Sequence, residues 1–255
     1  MKRIGQGVLA GLWIVSAGAG AVMAADQTAP RVEEVRLKAA QVESYKADFA
    51  LTVKESADKS ATLTGTILYQ RPDKRRIEFA KTTPVADDVA QLVVSDGVTE
   101  WQYFPGRRLA NQTTWAKVKA AGAPPEALEV RGLHQPFIDV KRDTIRLLET
   151  KQEGGTALYV FEAEPSPTLV AEAPFPPGKL RVAVAAADGL TRWLTMTDAT
   201  GREVLTQQYT KVQTKIPAKP EQFTFTPPQG VQVVDISEER ARAAEPPAAP
   251  AGARP

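Results

Sequence analysis

His134 is the single histidine of the 255-residue chain, and there is no cysteine. One imidazole can act as a general base, but it needs a nucleophile or an acid placed beside it. The sequence contains no nucleophile-elbow serine, no phosphate-cradling glycine loop and no paired-histidine zinc helix to complete such a site. The absence of thiols also excludes thiolate metal sites, a cysteine nucleophile, disulfides and a cysteine that could itself carry a lipid. His134, two residues before Pro136, reads as a loop residue. Asp87-Asp88 form a carboxylate pair, yet nothing around them has the spacing of a calcium loop, so they read as a solvated turn. Asn111-Gln112-Thr113 has the form of a glycosylation acceptor and reads as an ordinary strand or turn segment. No catalysis, metal or cofactor is expected.

Two basic features remain. Lys74-Arg75-Arg76 is either a solvated strand start or a patch at a rim that meets an acidic partner or a lipid headgroup. Arg71, before Pro72, reads on its own as an edge-strand arginine. The formal net charge is +2, which falls to neutrality without Lys2 and Arg3. Neither nucleic acid nor charge-driven membrane association is expected from such a balance.

Lys2 and Arg3, the apolar run Val8 to Val15 and the small residues Val22-Met23-Ala24 have the order of a secretory signal cut before Ala25. The run is shorter than the roughly 20 apolar residues of a membrane span. From Glu239 to Pro255 the chain is mostly Ala, Pro, Arg and Glu, too little apolar surface to offset the entropy of ordering. The expected organisation is a signal peptide over 1–24, one domain over 25–238 and a disordered Ala/Pro-rich tail over 239–255. A soluble, exported monomer follows.

The elements must come from the middle. Val32, Val35, Ala39 and Val42 recur at helical spacing after Pro30, an amphipathic helix to be laid across something apolar. From Tyr45 the period becomes two. Tyr45, Ala47, Phe49, Leu51 and Val53 share one face; Leu63, Gly65, Ile67 and Tyr69 repeat the pattern, and so do Ile77 and Phe79. Leu92–Val94 and Trp101–Tyr103 flank the turn Ser95-Asp96-Gly97. A short helix is expected over Ala123–Leu133. Ile145–Lys151 and Leu158–Glu164 form a hairpin about Glu153-Gly154-Gly155, and Pro165–Pro177 reads as a proline-rich loop. Leu180–Ala186 and Thr191–Thr197 flank Asp188-Gly189, and Ala199-Thr200-Gly201 turns into Glu203–Val212. Strands joined by short turns make an antiparallel meander, and one-sided strands with few helices must curl around what covers them.

Three stretches occur in a telling order: Gln70-Arg-Pro-Asp-Lys-Arg-Arg-Ile-Glu-Phe79, Val94-Ser-Asp-Gly-Val-Thr-Glu-Trp-Gln-Tyr-Phe-Pro105 and Phe223-Thr-Phe-Thr-Pro-Pro-Gln-Gly-Val-Gln-Val-Val-Asp-Ile236. In the last, an alternating strand runs into a Pro-Pro turn and a glycine, and then a second alternating strand. Together they resemble the LolA family of periplasmic lipoprotein carriers. The resemblance implies a mainly β fold, an unclosed antiparallel β-barrel (half-barrel) with helices capping its concave face, where acyl chains are held. It implies a carrier that takes lipoproteins from an inner-membrane ABC transporter to an outer-membrane lipoprotein receptor. The alternative is a sensor or glycolipid carrier of the same fold. Arg71 falls on the family's arginine beside the cavity, which bonds to the covering loops and holds the empty carrier closed. The period-two residues Phe49, Leu51, Leu63, Ile67, Ile77, Phe79, Val94, Trp101 and Tyr103 are the expected concave face, about half of them touching a cavity. In one respect the sequence departs from the family. Where the strand after Arg-Pro presents aromatic residues to the cavity, this chain has Arg75 and Ile77.

Overall fold

Alternating residues and tight turns build one curved sheet. The computed structural model describes residues 27–54, 59–80, 91–122, 132–173 and 176–243. Helix α1 (Thr28–Ala40) precedes β1 (Ser44–Lys54), β2 (Ser60–Gln70), β3 (Lys74–Phe79), β4 (Leu92–Asp96), β5 (Thr99–Phe104) and β6 (Leu109–Thr114). Helix α2 (Trp115–Ala120) separates these from β7 (Arg146–Glu153), β8 (Thr156–Ala163), the short helix α3 (Pro167–Glu172), β9 (Pro177–Ala185), β10 (Thr191–Asp198) and β11 (Glu203–Thr214). Strand β12 (Gln232–Asp235) and helix α4 (Ser237–Ala243) end the described chain.

The strands lie in the order β12-β6-β5-β4-β3-β2-β1-β11-β10-β9-β8-β7. All neighbours are antiparallel except β12, which runs parallel to β6. The sheet has two edges and does not close, as an unclosed half-barrel requires. Among the described residues, no helix is long and apolar enough to cross a membrane.

Helix α1 lies across the concave face and joins its two halves. Val35 packs with Tyr159, Phe161, Val182 and Val184 of β8 and β9, whereas Val42, just past the helix, joins Tyr45, Ala47, Ile67 and Tyr69 of β1 and β2. The Asp188-Gly189 turn abuts the helix directly. A Cβ on Gly189 would stand 2.4 Å from the Val35 carbonyl oxygen, and φ there is +72°. Both conditions call for glycine.

Several expectations need correcting. Phe223–Thr226 is not a strand; after a single 3-10 turn (Pro220–Phe223) it crosses the outer face of the sheet, and only β12 pairs. The proline-rich loop contains α3, capped by the Ser166 hydroxyl accepting from the Leu169 N–H. Ordered chain runs past 238, because Glu239–Ala243 complete α4 and Ala241 is buried. The helix expected over Ala123–Leu133 lies outside the described residues except for Gly132 and Leu133, which form a turn. The signal segment, Asp87-Asp88 and residues 244–255 also lie outside them.

Candidate functional site

A cavity of about 270 Å³ lies between the middle of the sheet and the segment Gly132–Val140. Its floor is Phe49 and Leu51 of β1, Ile67 of β2, and Ile77 and Phe79 of β3. The register puts these on one face: Phe49 stands opposite Gly65, Ile67 opposite Ile77, and Gly65 opposite Phe79. Gly65 makes this floor possible. A Cβ there would meet the Phe49 ring at 2.8 Å and the Glu78 carbonyl oxygen at 2.2 Å. With no side chain in the way, the Phe49 ring lies across the strand and meets Phe79 edge to face, with centroids 5.4 Å apart. Leu194 of β10 and Gln207 and Tyr209 of β11 extend the floor, since Leu51 and Leu194 both pair with Gln207 and Phe49 pairs with Tyr209.

The roof carries Gln135, Pro136, Ile138, Asp139 and Val140, and it is stitched down at both ends. At one end the fully buried Leu133 donates its N–H to the Tyr45 hydroxyl at 3.1 Å and accepts from the Thr191 N–H at 2.9 Å. Beside it His134 stacks on Tyr69 at 4.2 Å, and Tyr69 stacks on Tyr45 at 5.0 Å. At the other end Val140 bridges to Pro165, and the Lys141 N–H donates to the Glu164 carbonyl at 2.8 Å. Between them Phe137 packs edge to face on Phe161.

Burial, helped by the Arg71 charge, lowers the His134 pKa to about 4. The imidazole is therefore neutral at pH 7 and part of a stack. The nearest hydroxyl is that of Tyr45, 3.4 Å from Nδ1, and burial pushes that phenol well above its ordinary value. A phenol held so firmly protonated is a poor nucleophile, so the pair works as packing.

Arg71 lies outside the cavity lining. Its guanidinium donates to the carbonyls of Val42 at 3.0 Å and Ala39 at 3.3 Å. These belong to the last turn of α1 and the residues that follow, where helix carbonyls lack intrahelical partners and the helix dipole favours a cation. Arg71 thus clasps the end of the helix that lies over the concave face.

The basic run divides between the two faces. Arg75 points inward and pairs with Glu100, which also accepts from Arg240 of α4 at 2.6 Å. Burial would raise the Glu100 carboxyl, but the two guanidiniums outweigh it and hold the group below the ordinary carboxylate range. Arg240 also stacks over the Trp115 ring at 5.3 Å, fastening α4 against α2. The position that departs from the family pattern is therefore committed to an ion pair. Arg76 faces outward, donating to the Gln222 carbonyl at 3.3 Å.

Five of the nine expected concave residues (Phe49, Leu51, Ile67, Ile77 and Phe79) line the cavity. Leu63 shares their face, opposite Leu51, but lies beyond the lining. Val94, Trp101 and Tyr103 must be corrected. Ile77 pairs with Val93, so Val94 lies on the other face, and Trp101 and Tyr103 follow it through the β4–β5 register. Trp101 and Tyr103 meet Phe225 of the crossing segment at 5.8 and 5.3 Å. Sequence reasoning missed the roof and the β10–β11 wall. The period-two series Leu205, Gln207, Tyr209 was the available sign of that wall.

No protein-family model matches the chain, and no curated protein matches it. Solved structures do. An uncharacterized conserved protein from Thermus thermophilus superposes with a TM-score of 0.53 at 10% identity, over 81% of this chain and 98% of that one. A domain described as outer membrane lipoprotein-sorting, from Vibrio parahaemolyticus, gives 0.40 at 11% identity over 78% and 97%. A LolA superfamily protein from Nitrosomonas europaea gives 0.36 at 10% identity over 78% and 97%. Of these three superpositions, the first exceeds one half. The likeness it establishes is one of fold.

Proposed function

We propose that this protein is a non-enzymatic carrier that shields acyl chains of lipidated cargo in its concave cavity. The observation that carries the reading is the cavity itself, apolar on its floor and covered by the roof segment Gly132–Val140. Each methylene moved from water into such a space contributes about 0.8 kcal/mol, so a chain is held without covalent chemistry. The three sequence stretches that resemble the LolA family support lipoproteins as the cargo, with an inner-membrane ABC transporter as donor and an outer-membrane lipoprotein receptor as acceptor. The amino-terminal order of charged, apolar and small residues supports export to the periplasm and a mature chain beginning at Ala25. Leu63 extends the apolar face toward the end of β1 and β2. Arg71 supplies the closure that a carrier needs in order to let its cargo go.

The test is transfer of a labelled lipoprotein from purified carrier to vesicles that contain the receptor. Transfer by the parent, lost in Ile77→Asp while the far-ultraviolet spectrum stays unchanged, is the expected result. A protein that binds acylated peptide but transfers none to any acceptor is a sensor, and the carrier reading falls.

A further inference from the structure

The floor of the cavity continues sideways into polar residues. Directly opposed positions make a single row across the sheet, from Ile67 to Ile77, Val93, Gln102 and Asn111. Opposed residues share a face, so all five look inward. Ile67 and Ile77 line the cavity, whereas Gln102 and Asn111 stand beyond its lining, on β5 and β6. With neighbouring strands about 4.8 Å apart, Asn111 lies roughly 14 Å from Ile77. Val93, Gln102 and Asn111 are each partly exposed, so an incoming chain can reach them.

The next row, toward the Asp96 turn, is shut. Ser95, Glu100 and Thr113 are buried, and Glu100 is held by Arg75 and Arg240. The Ser237 hydroxyl of α4 accepts from the Thr114 N–H at 2.9 Å. A chain that leaves the cavity on this side therefore meets the amide row.

The fold does not use up the two amides. Gln102 Nε2 donates to Glu100 Oε1 at 3.3 Å. Among the described residues, Gln102 Oε1 and the Asn111 side-chain amide have no hydrogen-bond partner. A carboxamide offers two N–H donors and an acceptor, the complement of a peptide group, which presents one of each. A sugar would gain from an aromatic ring to lie against. The row has none, and Trp101 and Tyr103 on either side of Gln102 face outward against Phe225. We infer that Gln102 and Asn111 form a subsite for the main chain of a peptide whose amino-terminal end carries the acyl group, an inference that rests on the carrier reading above. The acyl chain lies on the apolar part of the row and the first residues of the peptide on the amide part. At about 3.5 Å per extended residue, a span of roughly 14 Å takes about four residues.

The experiment is calorimetric titration of the full protein with dodecanoyl N-methylamide and with N-dodecanoyl peptides of two, four, six and eight uncharged residues. An N-dodecanoyl tetrapeptide methylated on every backbone nitrogen, which has lost its N–H donors, and dodecyl maltoside are titrated beside them. A net hydrogen bond is worth about fivefold in affinity. Binding should therefore tighten about tenfold or more from the methylamide to the tetrapeptide and stay level beyond it. The N-methylated tetrapeptide should fall back to the methylamide. Gln102→Leu and Asn111→Leu together should abolish the gain from the peptide, bind the methylamide at least as tightly as the parent does, and leave the urea midpoint unchanged. The N-methylated ligand tests the subsite on the parent alone, whatever the stability of the variant. Equal binding of methylamide and tetrapeptide, or of the ordinary and N-methylated tetrapeptides, overturns the subsite and leaves the carrier reading standing. So does a folded double variant that keeps the gain or weakens both ligands equally. Tighter binding of dodecyl maltoside than of any peptide makes the row a sugar site and overturns the inference too. No binding by any of these ligands overturns the carrier reading with it.

Discussion

Acid should loosen the roof through one residue. His134 is held near a pKa of 4 by burial and by Arg71, whereas an unfolded histidine titrates near 6.5. Between those values the unfolded chain binds more protons than the folded one, so stability falls as pH drops from about 7 toward 4 and levels below that. The difference of about 2.5 pH units corresponds to roughly 3 kcal/mol in full, of which roughly 2 kcal/mol is lost by pH 5. His134→Phe keeps a ring for the Tyr69 stack and removes the titration. Urea unfolding of parent and variant at pH 7.5 and pH 5, followed through Trp101, Trp115 and Trp193, isolates the effect as a double difference. Carboxylates with lowered values, such as Asp198 at about 2, titrate in both proteins and cancel. The parent should lose about 2 kcal/mol more than His134→Phe on going to pH 5. Parallel losses within about 0.5 kcal/mol would refute the account of His134 as a buried neutral member of the roof.

Arg71→Leu removes two charge-assisted bonds, to the Ala39 carbonyl in the last turn of α1 and to the Val42 carbonyl just past it, so closure should weaken by roughly 1.5–3 kcal/mol. The variant should hold labelled cargo longer and pass less of it to acceptor vesicles; release at the parent's rate would make Arg71 an ordinary edge residue. Glu100→Gln leaves Arg75 and Arg240 facing each other without a counter-charge, and should cost about 3–5 kcal/mol in urea unfolding. Arg240→Met spares the Arg75–Glu100 pair, so it should cost less overall but release α4, seen as faster proteolytic cleavage near Arg242.

The hairpins were legible because period-two alternation and glycine turns are local properties of the chain. The cavity floor on β1–β3 was legible for the same reason, since Phe49, Leu51, Ile67, Ile77 and Phe79 all obey one alternation. The β4–β5 face was not. Alternation says which residues share a face but not which face is concave, and the pairing of Ile77 with Val93 rather than Val94 decides it. Across that end of the sheet the inward positions include the polar Ser95, Glu100 and Thr113, all buried, while Trp101 and Tyr103 face Phe225 of the crossing segment. Glu100 and Arg240 are 140 residues apart, and a lone acid and a lone base so distant carry no local sign that they meet. The roof was hidden for a related reason. Gly132–Val140 has no period, and its place comes from contacts with Tyr45, Tyr69, Thr191 and Pro165 on distant elements.

The isoleucine methyl groups offer the most direct test of the cavity. Ile67, Ile77 and Ile138 line it; Ile145 packs against the core that includes Val140, and Ile216 and Ile236 lie elsewhere on the chain. Carbon-13 methyl spectra recorded while an N-dodecanoyl peptide is added should show Ile67, Ile77 and Ile138 moving together and saturating, with Ile216 and Ile236 unchanged. Shifts confined to Ile216 or Ile236, or none at Ile67, Ile77 or Ile138, would contradict an acyl chain held between the sheet and its roof.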